Sequence, residues 1–341
     1  MKIGMMSRWN ATCGVSVHAE LIGRAWVEMG DEVTIFAPVE RNSTSITNKD
    51  ELYVIRCYRL DTPSYFDPKP FLENDYDIFV AQNLEILPMK PLLEIYPEIK
   101  KKALALMIVH EGRLPKDPNF YKFDWDWIIC FDERYKRFLT KAFPEEKIKI
   151  ISYPCHPVML GDKKESRKNL GLPLDKKIIL NYGIGVYRHL HLLPEIERLS
   201  KEYPLMFLVI TDHPDWFDLW DAVRERYKFI KLINRSLTVE ELYSYLHASD
   251  ALLIHKDSAE NVAVSSTVYL CLGSGCPILA HSVNFVETLK EEIMKYGSLT
   301  KKLVEVFEEK EAYRRTVKKA LQYARDNSAY IVANKIKEVV S

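Results

Sequence analysis

Short apolar runs of strand length alternate with longer segments of helical spacing along almost the whole chain. Residues 2–6 read as a strand and residues 7–16 as a loop carrying Gly14. Val17, Leu21, Ala25, Trp26 and Met29 then fall at helical spacing up to Gly30, and residues 32–37 form the next strand. Strand, loop, helix and strand in that order make a βαβ unit. Further strands are read at 52–57, 78–81, 103–109, 127–131 and 148–151. Residues 152–162 break the pattern with Pro154, Pro157 and Gly161 and read as an interdomain linker. A second alternation follows, with strands at 178–182, 205–210, 229–232, 251–255 and 277–280, and helices at 190–202, 216–227, 239–247 and 265–272. The tail, 299–340, is charged and helical, without glycine or proline. Parallel strands need crossover helices, so the order predicts an α/β fold. We expect two Rossmann-like doubly wound domains facing across a cleft.

Composition narrows the partners. A chain of 341 residues exceeds one ordinary core. Its 48 basic and 48 acidic residues leave no basic excess for nucleic acid or a polybasic membrane anchor. Apolar stretches such as residues 103–109 fall far short of the ~20 needed to span a bilayer, and the opening MKIGMMSRWN lacks the apolar segment of a secretory leader. The six cysteines form no CxxC pair, which reads as reduced cytosolic thiols. Glutamine occurs only at Gln82 and Gln322, while Lys and Glu dominate the charges, a thermophilic bias.

Ligands of open α/β sheets bind outside the carboxyl ends of the strands. That directs attention to the loops at 7–16, 110–115, 183–191 and 255–266. In the first, Gly14 precedes a helix that Ser16 is expected to cap. SRWNATCG is not GxGxxG, so a dinucleotide site is disfavoured. His18 stands in the first helical turn, either facing a ligand or as a surface histidine. His110 and Glu111 follow a buried strand directly; His110 reads either as functional or as satisfying a backbone group. Gly183 and Gly185 permit close approach of a ligand, and Arg188 offers a fixed fork for phosphate, unless this is simply a turn with an exposed arginine. Lys256 and Glu260 lead into a helix with Val264, Ser265 and Ser266 near its start, where free N–H groups and hydroxyls suit a diphosphate and Glu260 suits sugar hydroxyls. Asp212, His213 and Asp215 read as helix capping beside core tryptophans rather than as a metal site. No GxSxG or HExxH motif occurs.

In this order the segments resemble a known family. CGVSVHAELIGRAWVEMGDEVTIFAP, WIICFDERYKRFL, IKIISYPCHPV, RKNLGLPLDKKIILNYG, LTVEELYSYLHASDALLIHKDSAEN, LCLGSGCPILA and EEKEAYRRTVKKALQYARDNSAYIVANKI are similar, almost end to end, to family-4 (group 1) retaining glycosyltransferases of GT-B fold. The resemblance implies transfer of a hexose-type sugar from a nucleotide-diphosphate sugar with retention at the anomeric carbon. It puts Gly14, His18 and Glu111 on the acceptor side and His110 beside the donor sugar. Glu260 matches the first glutamate of the family's paired motif. Gly183, Arg188, Lys256, Val264, Ser265 and Ser266 would hold the donor. The second glutamate of the pair is missing, since Val268 or Leu270 stands there depending on the direction of counting, and Ile184 replaces the usual arginine after Gly183.

The resulting expectation is an active, metal-independent hexosyltransferase with no cofactor besides its donor. Two other readings stay open: a non-catalytic sugar-nucleotide or glycan-binding protein, which the missing glutamate motivates, and a sugar-nucleotide epimerase, for which Glu111 and Glu260 could serve as acid and base. Residues 1–152 would form the acceptor-side domain, 153–325 the donor domain, and 326–341 a helix packing back on the first. The acceptor, a glycan, lipid-linked or small molecule, would meet the loops at 38–50 and 63–75. A cytoplasmic location with at most peripheral contact with the inner face of the membrane completes the expectation.

Overall fold

The computed structural model describes residues 1–39, 49–60 and 65–340. The chain divides into two compact units, Met1–Pro154 with Glu260–Ser266 and Asn327–Ser341, and Cys155–Ala259 with Thr267–Asp326. Residues 260–266, assigned from sequence to the second domain, thus belong with the first unit. Most of the loop 38–50 and the first two residues of the loop 63–75 lie outside the described residues.

In the first unit β1 (Lys2–Met6), α1 (Gly14–Glu28), β2 (Glu32–Pro38) and β3 (Val54–Tyr58) are followed by α2 (Lys69–Glu73), β4 (Ile78–Gln82), α3 (Met89–Lys102), β5 (Leu104–Ile108), β6 (Trp127–Cys130), α4 (Glu133–Leu139) and β7 (Ile148–Ile150). The strands form one parallel sheet in the order β3-β2-β1-β4-β5-β6-β7. Central strands such as IFVAQ are buried at every position, as a sheet covered on both faces requires.

The second unit holds α5 (Lys163–Asn169), β8 (Lys177–Tyr182), α6 (Leu193–Ser200), β9 (Leu205–Thr211), α7 (Pro214–Arg224), β10 (Ile230–Asn234), α8 (Val239–Ala248), β11 (Ala251–Ile254), most of α9 (Ser266–Cys271), β12 (Ile278–His281), β13 (Met294–Tyr296), α10 (Leu299–Phe307) and α11 (Glu311–Asp326). Its sheet is also parallel, in the order β10-β9-β8-β11-β12-β13. Phe207, Val209, Trp220, Leu253 and Leu279 lie in its core. Asp162 caps α5, and Thr238 with Glu241 closes a capping box on α8. The last helix, α12 (Ala329–Glu338), is capped by Ser328 and belongs to the first unit, where Trp26 Nε1 donates to Ala333 O at 2.9 Å.

Strand order reverses between β1 and β4 in one sheet and between β8 and β11 in the other. Those two switch points open the crevices in which such sheets bind ligands. Among the described residues, no helix is long and apolar enough to cross a membrane.

Candidate functional site

In the first unit, the loops after β1, β4 and β5 converge on Gln82. Its Oε1 accepts from His18 Nδ1 at 3.0 Å and from His110 Nε2 at 3.2 Å, and its Nε2 donates to Met5 Sδ. The shared acceptor sets both tautomers, leaving His18 Nε2 and His110 Nδ1 unprotonated. His18 is 1% exposed, so it is not a surface histidine. Burial drives its pKa down to about 3 against the pull of Gln82, and burial plus His18 holds His110 well below the ordinary value. Both rings pack on Phe131 and Tyr153. The side chain of His110 therefore bonds another side chain rather than a backbone group.

Glu111 is a clamp. Its carboxylate accepts from Glu85 N at 2.8 Å and from His110 N at 3.0 Å, and burial lifts its pKa to about 7. Ser16 does not cap α1. The N-cap is Cys13, without a side-chain bond, while Ser16 Oγ accepts from Ala11 N at 2.9 Å and donates to Glu20 Oε1 at 2.7 Å. A helix entered at Gly14 puts Ser16 inside its first turn, where its hydroxyl ties down the loop instead. Glu20 also accepts from Asn10 N and pairs with Arg24 at 2.9 Å.

The segment Glu260–Ser266 is fastened mainly through backbone atoms. Val262 N donates to Gly112 O at 3.1 Å, and an Arg134 guanidinium N–H donates to Ala263 O at 3.3 Å. A β-carbon on Gly112 would fall 2.1 Å from Val262 O, and one on Gly14 would fall 3.1 Å from Ser266 Oγ. Both glycines permit close approach, and only Gly14 had been singled out from sequence. Gly112 directly follows the His110-Glu111 pair, and that position was the available signal. Val264 is half-buried, and the buried Ser265 Oγ has no hydrogen-bond partner. Glu260 is exposed and hydrogen-bonds to none of the described residues.

In the second unit, Gly183 ends β8 at φ +101°, a backbone angle that favours glycine. Gly185 lies two residues on, and a short 3-10 turn (Val186–Leu192) then presents Arg188, which pairs with Asp257. Lys256 follows β11 with its Nζ 4.5 Å from the Phe285 ring centroid, and burial together with Arg188 lowers its pKa to about 8. Arg188, Asp257 and Lys256 thus gather at the β8/β11 switch point. His189, whose spacing to His191 did not suggest a metal pair, is buried there; its Nε2 accepts from His255 N at 2.9 Å. His213 stands at the N-cap of α7 without a side-chain cap bond, and Trp216 stacks on both Tyr187 and His213. The side chain of His213 thus makes no cap bond, while Trp220 on the same helix is buried, as expected of a core tryptophan. Among the described residues no group of three or more His, Cys, Asp or Glu is placed to hold a metal ion. Val268 and Leu270, at the position of the missing glutamate, are both buried.

No protein-family model matches the chain. Solved structures match it at full length. A glycosyltransferase from Rickettsia africae ESF-5 superposes with a TM-score of 0.69 at 15% identity, over 99% of this chain and 97% of that one. HepE from Anabaena, solved with UDP and glucose, gives 0.69 at 14% identity, over 100% and 99%. The catalytic domain of starch synthase IV from Arabidopsis thaliana, bound to ADP and acarbose, gives 0.66 at 12% identity, over 99% and 98%. Two parallel sheets of seven and six strands, each wound with helices, together with these superpositions, give the chain the GT-B fold of glycosyltransferases.

Proposed function

We propose that the chain is a glycosyltransferase that moves a hexose-type sugar from a nucleotide-diphosphate sugar to an acceptor, with retention of configuration and without a metal. The observation that carries the reading is the pair Arg188 and Lys256 at the carboxyl ends of β8 and β11, in a fold shared with proteins solved with UDP or ADP. Leaving-group charge on a diphosphate is stabilised by fixed cations in a desolvated setting. In the roles we assign, Arg188 exchanges Asp257 for the diphosphate and Lys256 adds a second cation beside Gly183. Glu260 contacts the donor sugar, and the backbone just after it, held by Val262 N to Gly112 O and by Arg134 to Ala263 O, supports a fixed approach. His110, neutral and oriented by Gln82, lies beside the sugar. Gly14 and His18 belong to the acceptor side, and Val264, Ser265 and Ser266 to the donor phosphates. Glu111, with both oxygens taken by backbone N–H groups, acts as a positioning residue for His110, which weakens the epimerase reading.

The test is sugar transfer from a panel of uridine, guanosine and adenosine diphosphate sugars to mixed glycan and lipid-linked acceptors. Arg188→Ala and Glu260→Ala are each expected to lower transfer about a hundredfold, with melting temperature little changed. Variants as active as the parent chain would overturn the assignment. A second reading, a non-catalytic sugar-nucleotide-binding protein, is favoured by the buried Val268 and Leu270, which offer no carboxylate to a ribose. Calorimetric binding of a nucleotide sugar with no turnover in any acceptor mixture would select it.

A further inference from the structure

The carboxyl ends of β8, β11 and β12 bring together three histidines that no step above uses. His191 is exposed on the turn after β8, His255 directly follows β11, and His281 ends β12. The His191 and His255 rings meet edge-on with centroids 4.4 Å apart, and His255 stacks on His281 at 4.6 Å with 19° between the planes. The rings are held in place: His255 N donates to His189 Nε2 at 2.9 Å, His255 Nδ1 shares a 2.8 Å hydrogen bond with Tyr296 Oη, and His281 Nδ1 donates to Lys256 O at 3.4 Å. Among the described residues, His255 Nε2, His281 Nε2 and both nitrogens of His191 have no hydrogen-bond partner. The charged groups that act on His255 are Arg188 and Asp257, which pair with each other, while Lys256, next in the chain, holds its Nζ over the Phe285 ring and feels Arg188. Asp257 is largely exposed; Glu195, near Tyr296, is engaged by Thr300 N and Oγ1 at 2.7 and 2.8 Å.

Packing alone does not call for three imidazoles in contact beside a guanidinium, since His191, His281 and Arg188 all oppose a proton on His255. Burial, then His191 and His281, hold the His255 pKa down to about 4, and Arg188 pushes the same way. A dianion placed among these rings reverses the balance and favours the protonated form. We propose that the His191–His255–His281 stack, with Arg188 and Lys256, is a binding site for a diphosphate group that takes up a proton from solvent, onto an imidazole nitrogen, as it fills. That the diphosphate arrives on a nucleotide sugar rests on the function proposed above; the anion site does not.

UDP-glucose and ADP-glucose are suitable probes because their diphosphate diesters do not ionise in the range used. Calorimetry on the full chain at fixed ionic strength, in two buffers of different ionisation enthalpy, is expected to show proton uptake. Affinity is expected to rise about fivefold or more from about pH 8 to about pH 5.5. His255→Gln and His281→Gln are each expected to cut that ratio to about twofold or less. In a second arm, imidazole resonances are titrated with sulfate against chloride; sulfate is expected to move the His255 midpoint upward. Sulfate shifting the midpoint while no nucleotide sugar binds would uphold the anion site and sink the donor reading. A nucleotide sugar that binds equally at both pH values, without proton uptake, would uphold the donor reading and overturn this proposal. No shift with sulfate and no binding would overturn it too.

Discussion

A methyl group at Gly112 has nowhere to go, because Val262 O occupies the place at 2.1 Å. Gly112→Ala must push the 260–266 segment off its seat, an overpacking cost of about 1–3 kcal/mol. Urea unfolding will show it, and a variant as stable as the parent chain would refute the contact. His18 predicts a pH effect. Its ordinary pKa of 6.5 falls to about 3 in the folded chain, so the unfolded chain takes up the proton first. The stability this residue contributes is complete above 6.5 and is lost as pH falls toward 3, at up to about 1.4 kcal/mol per pH unit. Glu111 runs the other way: its pKa rises from 4.5 to about 7, so its contribution is full below 4.5 and lost as pH rises through 7. Comparing the parent chain with His18→Gln isolates the histidine. Between pH 6.5 and 5 the parent should lose about 2 kcal/mol more than the variant; parallel pH profiles would contradict this. His18 and His110 were legible because helix starts and strand ends are where polar side chains meet ligands. Gln82 was not, since at the end of IFVAQ it looked like a strand running out, and only the fold makes it the acceptor for both histidines.

Elements were legible where apolar runs are long. The strands β1, β4, β5, β8, β9 and β11 appear within a residue or two of their predicted positions. Short or composite pieces were not. Three residues, Met294–Tyr296, carry no readable period, yet they pair with β12 and complete the second sheet. The helix predicted over 190–202 is a 3-10 turn followed by α6, because Pro194 suits the first turn of a helix better than its interior. The elements of the second unit are tied by one carboxylate. Asp250 accepts from an Arg167 guanidinium N–H at 2.7 Å, from Ile178 N at 2.7 Å and from Lys163 Nζ at 3.1 Å, linking α5, β8 and the approach to β11. Arg167 and Asp250 are both buried, so Asp250→Ala should cost about 3–5 kcal/mol. A loss under about 1 kcal/mol in chemical denaturation would mean that the pair is dispensable.

At the scale of the whole chain, two doubly wound sheets follow from two alternations of strand and helix. The grouping of residues 260–266 with the first unit does not, because Gly112 O and Ala263 O hold it and backbone atoms leave no side-chain signature. The tail closes the first unit: α12 meets α1 through Trp26 and Ala333, Lys337 pairs with Asp31 at 2.6 Å, and Tyr330 bonds Glu28. Ile336 is wholly buried there, so Ile336→Ala should destabilise by about 2–5 kcal/mol. Calorimetric melting should place that loss in the first unit, and an unchanged profile would show that α12 is ornamental. This arrangement also imposes an order on synthesis. When residues 1–154 have left the ribosome, Trp26 still has an indole N–H without its acceptor and a face of α1 without its cover. The entire second unit must be translated before the covering helix exists. The nascent protein therefore carries an unfinished first half through most of its elongation, and chaperones or slow aggregation have that interval in which to act.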